Sequence, residues 1–510
     1  KKILKKFKLD MPSSLDHNPD EITQKKLIEM FKNGSLEKAS ILLEIDKRPK
    51  SDFCYQLLGL IQKKDKDYES ALASFYKVKE VNPNNSGAIN NIGEILFIKN
   101  KREEALQCFL ELTKLSPDYI MGWINLAISY QNTGLLDKSE ECYKKAISLE
   151  PLNQTANIGF CKLLRTLGRN DEALLILKNL SKSFPNEKVI NTMYARSLFD
   201  DGKESEAIEV FDKIAKVFPN DMVVLHHQSV IQKIRENYSE SLDIALKLEE
   251  IDSTSERTKA LILELYMRKK DIKGYIKYYN SLDEHFKLNR TIDAMTNYIA
   301  YQTDEKIEPV FCSKPMDHIL ITKISEFSSI SKDIISNLKS DIKNKYNVWE
   351  PSSNSTIGGY QTTKNLFLFK EESFAELLGI INSAVNNYKR HFNNSQSLMI
   401  KEWPKKTSIH SWAVTLKTQG YQSAHIHPDG WLSGVFYLEV PNTKNDEGSI
   451  FFTTFGYDYP KLNDNKIVEK HIKPTQGDII LFPSSLFHGT IPANLDSDRI
   501  SLAFDIKPIY

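Results

Sequence analysis

Residues 86–119 read SGAINNIGEILFIKNKREEALQCFLELTKLSPDY, and the phase of this stretch decides the fold of the first half of the chain. Its Gly93, Ala105, Phe109 and Pro117 each occupy one slot of a 34-residue period. Pro49, Pro83, Pro117, Pro151, Pro185 and Pro219 stand 34 apart throughout. Ala71, Ala105, Ser139, Ala173 and Ala207 keep the same step, as do Gly59, Gly93, Ala127, Cys161 and Ala195. Phe75, Phe109, Tyr143, Leu177 and Phe211 form a fourth series. Series in phase over this length predict a helix–turn–helix unit stacked along the chain. Small residues let paired helices approach, and the large side chain fills the gap beside them. Gly134, Gly168 and Gly202 suit left-handed ends of first helices. The prolines mark where second helices stop.

The spacing resembles the tetratricopeptide repeat. Units 52–85, 86–119, 120–153, 154–187 and 188–221 are clear in phase; 18–51 and 222–255 are degenerate, with Glu37 in a small-residue slot and Ser253 in a proline slot. Residues 256–290 read as amphipathic helices that cap the stack, which a solenoid requires against aggregation. The resemblance implies a superhelix whose concave face takes an extended peptide or a partner protein. Asn90, Asn91, Asn125, Asn157 and Asn191 fall on first helices, where such asparagines either bind peptide backbone or are plain polar surface.

At 510 residues the chain exceeds one core. Lys+Arg 68 against Asp+Glu 67 gives +1, so no global field points to nucleic acid or an anionic membrane. No apolar run approaches the roughly 18–20 residues of a membrane span. Cys54, Cys108, Cys142, Cys161 and Cys312 form no paired motif, and reduced thiols in a cytoplasmic protein are expected. The opening Lys1–Lys8, with four of its first six residues Lys, reads as part of a basic tail over 1–17. The chain opens on Lys1 rather than Met, so an upstream segment or a removed signal is left open. Residues 291–318 read as a linker, and 319–510 as a second domain.

In that domain helical spacing covers 316–345 and 371–392, then gives way to period two. Ser411–Leu416, Ser433–Val440, Ser449–Thr453, Ile467–Ile472, Asp478–Phe482 and Ile500–Ile506 are short strands broken by turn residues, which predicts a closed or double-layered β structure. Among them lie His425, His427, His488 and Arg499. His425 and His427, one residue apart on a strand end, share a face. Imidazole suits Fe(II), and three such ligands leave coordination positions open. A guanidinium eleven residues past His488 suits a carboxylate. Gly420, five residues before His425, predicts a turn that delivers the pair. Lone histidines such as His410 and His471 carry no such signal. Trp412, Trp431, Phe436 and Phe451 either wall the site or pack the core.

The phrases His425-Ile426-His427-Pro428, Ser433-Gly434-Val435-Phe436-Tyr437-Leu438, Gly477-Asp478-Ile479-Ile480-Leu481-Phe482-Pro483, His488-Gly489 and Arg499-Ile500-Ser501 are similar to those of Fe(II)/2-oxoglutarate-dependent dioxygenases. The resemblance spans about 320–510 and implies a double-stranded β-helix (a jelly-roll or cupin-like fold) with supporting helices. The expected fold class is therefore multidomain, an all-α solenoid followed by this β domain. It implies Fe(II), 2-oxoglutarate and O2, and hydroxylation coupled to decarboxylation of the keto acid. Carried over, His425 and His488 hold iron and Arg499 grips the far carboxylate of 2-oxoglutarate, with Ser501 and Tyr437 as helpers. The chain departs from the family pattern at His427, where a carboxylate is usual. Either His427 completes a three-histidine site, or a register shift makes Asp429 the ligand. A repeat scaffold or sensor without turnover, and a three-histidine dioxygenase that needs no keto acid, are the competing expectations.

Overall fold

The computed structural model describes residues 52–510, apart from 328–330, 344, 346, 352–354, 364, 464–467 and 510. The basic tail 1–17 and the degenerate unit 18–51 lie outside the described residues. The chain divides into two compact units, Lys1–Leu163 and Leu164–Tyr510.

In the first unit, helices Asp52–Lys64 and Tyr68–Val81, Ser86–Ile98 and Arg102–Leu115, and Ile120–Thr133 and Leu136–Leu149 form successive pairs. The small-residue slot works as the spacing predicts: a Cβ on Gly93 would stand 2.6 Å from the Phe109 ring. Buried Asn157 donates to the carbonyls of Pro151 and Asn153, both at 2.9 Å. The amide therefore closes the turn after the proline slot, which neither expectation for it foresaw.

The second unit opens with Asn170–Ser183 and continues through the pairs Lys188–Asp200 and Glu204–Val217, Met222–Ile234 and Tyr238–Ile251, and Glu256–Arg268 and Ile272–Ser281. Asn191 repeats the role of Asn157 by reaching the carbonyls of Phe184 and Glu187. Left-handed residues recur every 34 positions at the end of first helices, at Gly168, Gly202, Glu236 and Lys270 here and at Lys66, Asn100 and Gly134 in the first unit. Only the glycines announced themselves. The others bear a Cβ in a conformation that costs about 1–2 kcal/mol, which the packing of the repeat imposes.

On Met222–Ile234, burial and the charges of Arg257 and Arg196 hold the imidazole of His226 down to about 3. Burial, Arg196 and Arg257 hold His227 to about 4. An unfolded imidazole titrates near about 6.5, so below that pH the unfolded chain binds more protons. Their contribution to stability is thus present above pH ~6.5 and lost as pH falls toward about 4. Urea unfolding between pH 7 and 4 is expected to show this loss, and the double variant His226→Gln/His227→Gln to flatten it; an unchanged slope would refute the assignment.

The β domain has two antiparallel sheets. Strands β1 (Leu320–Lys323), β2 (Asn347–Trp349), β3 (Thr356–Thr362), β4 (Thr407–Gln422), β5 (Leu432–Glu439), β8 (Asp478–Pro483) and β10 (Arg499–Pro508) form one, in the order β1-β8-β5-β10-β4-β3-β2. Strands β6 (Ile450–Thr453), β7 (Glu469–Ile472) and β9 (Phe487–Thr490) form the other, ordered β7-β6-β9, with an isolated bridge from His425 to His488 at its edge. From β4 onward the chain passes repeatedly from one sheet to the other, as in a double-sheet jelly roll. Leu502, Phe504 and Ile506 of β10 pack with helices Ser331–Lys343 and Glu372–His391 through Leu338, Phe374 and Ile381. By alternation, Arg499, Ser501, Ala503 and Asp505 face the opposite way, between the sheets. There Tyr437, Ile480 and Phe482 of the large sheet meet Ile450 and Phe452 of the small one.

Three expectations are corrected. The supposed linker 291–318 begins with helix Arg290–Gln302, whose Ile292, Met295, Tyr298 and Ile299 are buried. Ile292, Met295 and Ile299 keep helical spacing, and Asp293, Thr296, Asn297 and Gln302 are buried as well, so the polar side of this helix is covered rather than solvated. Residues 256–290 are helical as expected, but their apolar side is covered by the β domain rather than left as a cap: Leu263, Met267 and Tyr275 pack with Ile426, Tyr459 and Phe487. The helical spacing at 316–345 mixes the edge strand β1, the turn Ile324–Glu326 and helix Ser331–Lys343. Two strands paired only through distant partners, β1 and β9, carried no local signal.

Candidate metal centre

Bulge and bridge geometry, not a turn, delivers the histidine pair. Gly420 lies inside β4, where Gln419 has φ 60° and the register against β3 shifts between Ile357 and Gly359. A Cβ on Gly420 would stand 2.3 Å from the carbonyl oxygen of Gly358, so only glycine admits this approach. Beyond it the backbones of His425 and His488 exchange two hydrogen bonds, both 3.0 Å. The amide of His427 is held by the carbonyl of Ser484 at 2.9 Å. His425, His427 and His488 are thereby brought together, with one ring nitrogen from each lying within 4.8 Å of the others. Nε2 of His427 and Nε2 of His488 are 3.2 Å apart.

Each ring is anchored through Nδ1. His425 meets the carbonyl of Ser423 at 2.7 Å, His488 that of Leu486 at 3.1 Å, and His427 the carboxylate of Asp505 at 2.8 Å. This orientation directs the Nε2 lone pairs inward, the arrangement that metal-binding histidines require. Burial and the charge of His427 hold His425 down to about 4. Burial and the charges of its two neighbours hold His488 well below its ordinary value. Both are neutral donors at physiological pH. Three convergent imidazoles fit a divalent first-row metal.

A cavity of about 510 Å³ opens beside them, walled by Trp412, Tyr457, Gln361, Gln422, Ser355, Asp429 and Lys507 among others. Of the four aromatic candidates only Trp412 lines it, stacked on His427 at 5.5 Å. Trp431 and Phe436 belong to the core behind the large sheet, and Phe451 packs against Gly489. Asp429 is largely exposed and pairs with Lys507 at 3.5 Å, away from the three rings. His410 lies on β4, and His471 sits in an exposed cluster with Asp446 and Glu469.

Arg499, Ser501 and Tyr437 do not line that cavity; they lie between the sheets at the other end of β10's inner face. The Arg499 guanidinium is buried, 5.1 Å from the centre of the Tyr437 ring, and makes no ion pair among the described residues. Its Nε and the Tyr437 hydroxyl are both buried without a hydrogen-bond partner. Burial pulls Arg499 below its ordinary pKa, against the opposing effect of Tyr437. A buried guanidinium with no ion-pair partner among the described residues and its Nε unpaired fits an anionic ligand such as a carboxylate. Asp505 and the cavity residues Gln361, Tyr457 and Lys507 escaped the sequence reading. The one local signal for Asp505 was its even spacing from Arg499 and Ser501 on a single strand face.

The fold and this centre define a helical-repeat protein joined to a two-sheet β domain with a histidine-lined cavity. The family model described as "Putative 2OG-Fe(II) oxygenase" matches residues 410–505, and that of the tetratricopeptide repeat matches 54–85, 86–119 and 122–151. These matches mark a tetratricopeptide-repeat region over 54–151 and a "Putative 2OG-Fe(II) oxygenase" domain over 410–505, which supports a dioxygenase-like function; the oxygenase family implies Fe(II) and 2-oxoglutarate. Curated relatives match through parts of the chain. The human protein O-mannosyl-transferase TMTC3 is 36% identical over 85 residues, 17% of this chain and 9% of its own length. The peroxisomal targeting signal receptor of Saccharomyces cerevisiae is 29% identical over 146 residues, 28% of this chain and 23% of its own. The photosystem I assembly protein Ycf3 of Rippkaea orientalis is 30% identical over 135 residues, 22% of this chain and 78% of its own. A solved tetratricopeptide repeat protein from Parabacteroides merdae covers 48% of this chain and 96% of its own at 19% identity, with a TM-score of 0.37. Tetratricopeptide repeats generally mediate protein interactions, and no helix among the described residues is long and apolar enough to cross a membrane.

Proposed function

We propose that the β domain is an iron- and 2-oxoglutarate-dependent dioxygenase that hydroxylates a protein or peptide recruited on the concave face of the repeats, in the cytoplasm. The observation that carries this reading is the meeting of His425, His427 and His488 at one cavity. In it these three hold Fe(II), and Asp429 stays outside the coordination sphere. Arg499 holds the far carboxylate of 2-oxoglutarate by a charge-assisted pair, with Tyr437 and Ser501 completing the polar lining. Bound iron and keto acid supply the oxidising chemistry. The chain's own residues orient both and exclude water: Trp412 shields the face of His427, and the buried phenylalanines Phe452 and Phe482 flank His488.

Adding Fe(II) and then 2-oxoglutarate to the chain without oxygen is expected to give a visible absorption band from chelation of the keto acid. Admitting oxygen should then yield succinate, slowly even without a second substrate. A chain that binds iron but gives neither band nor succinate overturns the reading. His427 in place of a carboxylate favours one rival, an oxygenase that works without the keto acid. In that case Arg499→Met leaves turnover intact.

A further inference from the structure

Asp505 explains how a centre with no carboxylate ligand keeps its charge balance; the inference rests on the proposed iron centre. The side chain is 4% exposed and stands directly behind His427. Its Oδ1 accepts from Nδ1–H of His427 at 2.8 Å and from the Ser433 hydroxyl at 2.7 Å. Ser433 Oγ is in turn 2.8 Å from Ser484 Oγ, and the carbonyl of Ser484 holds the amide of His427. Ring and backbone of His427 are thus fixed by one buried cluster. A Cβ on Gly430 would stand 2.5 Å from Ser484 Oγ, so the cluster is closed on that side.

No arginine or lysine forms an ion pair with Asp505 among the described residues; its imidazole partner is His427, which donates Nδ1–H. A buried carboxylate is costly to desolvate and persists where a positive charge compensates it. Three neutral imidazoles around a divalent ion would leave its two positive charges without a ligand of opposite sign from the chain. The two imbalances lie on either side of one imidazole ring. We propose that Asp505 is the positioning and charge-balancing residue of the centre. It locks His427 as the Nδ1–H tautomer and delivers, through the ring, the negative charge that a carboxylate ligand at position 427 would supply directly. The position of the charge has moved one shell outward; its sign and its target are kept.

The test is anaerobic titration of the purified full chain with Co(II), a coloured stand-in for Fe(II). Asp505→Asn keeps the shape and the acceptor for Ser433 while removing the charge. Its Co(II) affinity is expected to fall by roughly 10–100-fold, as for other partners of metal-bound histidines, with shifted visible bands. Ser433→Ala should lower affinity in the same direction by less, and it replaces Asp505→Asn as the test if far-UV circular dichroism shows that variant unfolded. His427→Asp supplies the carboxylate directly but sets it against Asp505. Adding Asp505→Asn in that background is expected to strengthen Co(II) binding, the opposite of its effect in the parent. A purely structural Asp505 would weaken both backgrounds alike, and that result, or unchanged affinity in Asp505→Asn, overturns the inference. A parent chain that binds no Co(II) sinks the iron centre itself.

Discussion

His488→Ala is expected to abolish stoichiometric metal binding while leaving the fold intact. The residue sits on β9, 5% exposed and the most buried of the three, with its Nε2 3.2 Å from that of His427. Its removal leaves two imidazoles that cannot close a facial site. Affinity for Fe(II) should fall by roughly 100-fold or more, beyond the 10–100-fold typical of losing an outer-shell partner. The fold survives because what joins β9 to the His425 segment is backbone: two hydrogen bonds of 3.0 Å that alanine retains. His410→Ala and His471→Ala serve as controls, since neither ring belongs to the cluster. Isothermal titration under argon, with circular dichroism on each variant, reads both halves of the expectation. One tightly held metal per chain in His488→Ala would sink the centre, whatever its activity.

The parts of this molecule that were legible are those set by local period. Four series 34 apart announced the repeats, and alternation located β5, β6, β8 and β10 to within a few residues, while of β4 it caught only the middle, Ser411–Leu416 of Thr407–Gln422. His425 and His427 were legible as a pair because spacing of two on a strand fixes a shared face. His488 was legible only through its neighbours, Gly489 and Arg499. What stayed hidden depends on non-local pairing. Asp505 reaches His427 because β10 lies between β4 and β5, an order that no window of sequence encodes. The helix Arg290–Gln302 was readable from Ile292, Met295 and Ile299 at helical spacing and was missed; what its sequence does not disclose is that its polar side is buried too. Asp293 there is fully buried, accepting from the Ser485 hydroxyl at 2.8 Å and from the Cys312 amide at 3.2 Å. Arg290 likewise donates to the carbonyl of Pro428, next to His427. The segment that looked like a spacer is therefore part of the wall that holds the histidine loop.

Arg499→Met is expected to cost function and to raise stability. In the proposed complex the guanidinium forms a buried pair with a carboxylate of 2-oxoglutarate, and truncating one partner of such a pair costs about 2–5 kcal/mol. That corresponds to a loss of roughly 30- to 4,000-fold in affinity for the keto acid. The metal-free, ligand-free chain should respond in the opposite sense. There the charge is buried without a counter-ion, its Nε unpaired, and an apolar side chain of similar length removes the desolvation cost. Replacement of buried ionic groups by apolar ones of similar volume stabilises by about 1–4 kcal/mol. Thermal melting of the apo chain should therefore move upward in Arg499→Met, while Fe(II) binding at the imidazoles is unchanged and the keto-acid band is lost. Added 2-oxoglutarate with iron should raise the melting point of the parent and not of the variant. A group kept at the expense of stability is the mark of a binding site rather than of packing. If Arg499→Met melted lower than the parent, the guanidinium would be a structural residue. The anion-binding role would then have to be sought elsewhere on the inner face of the sheets.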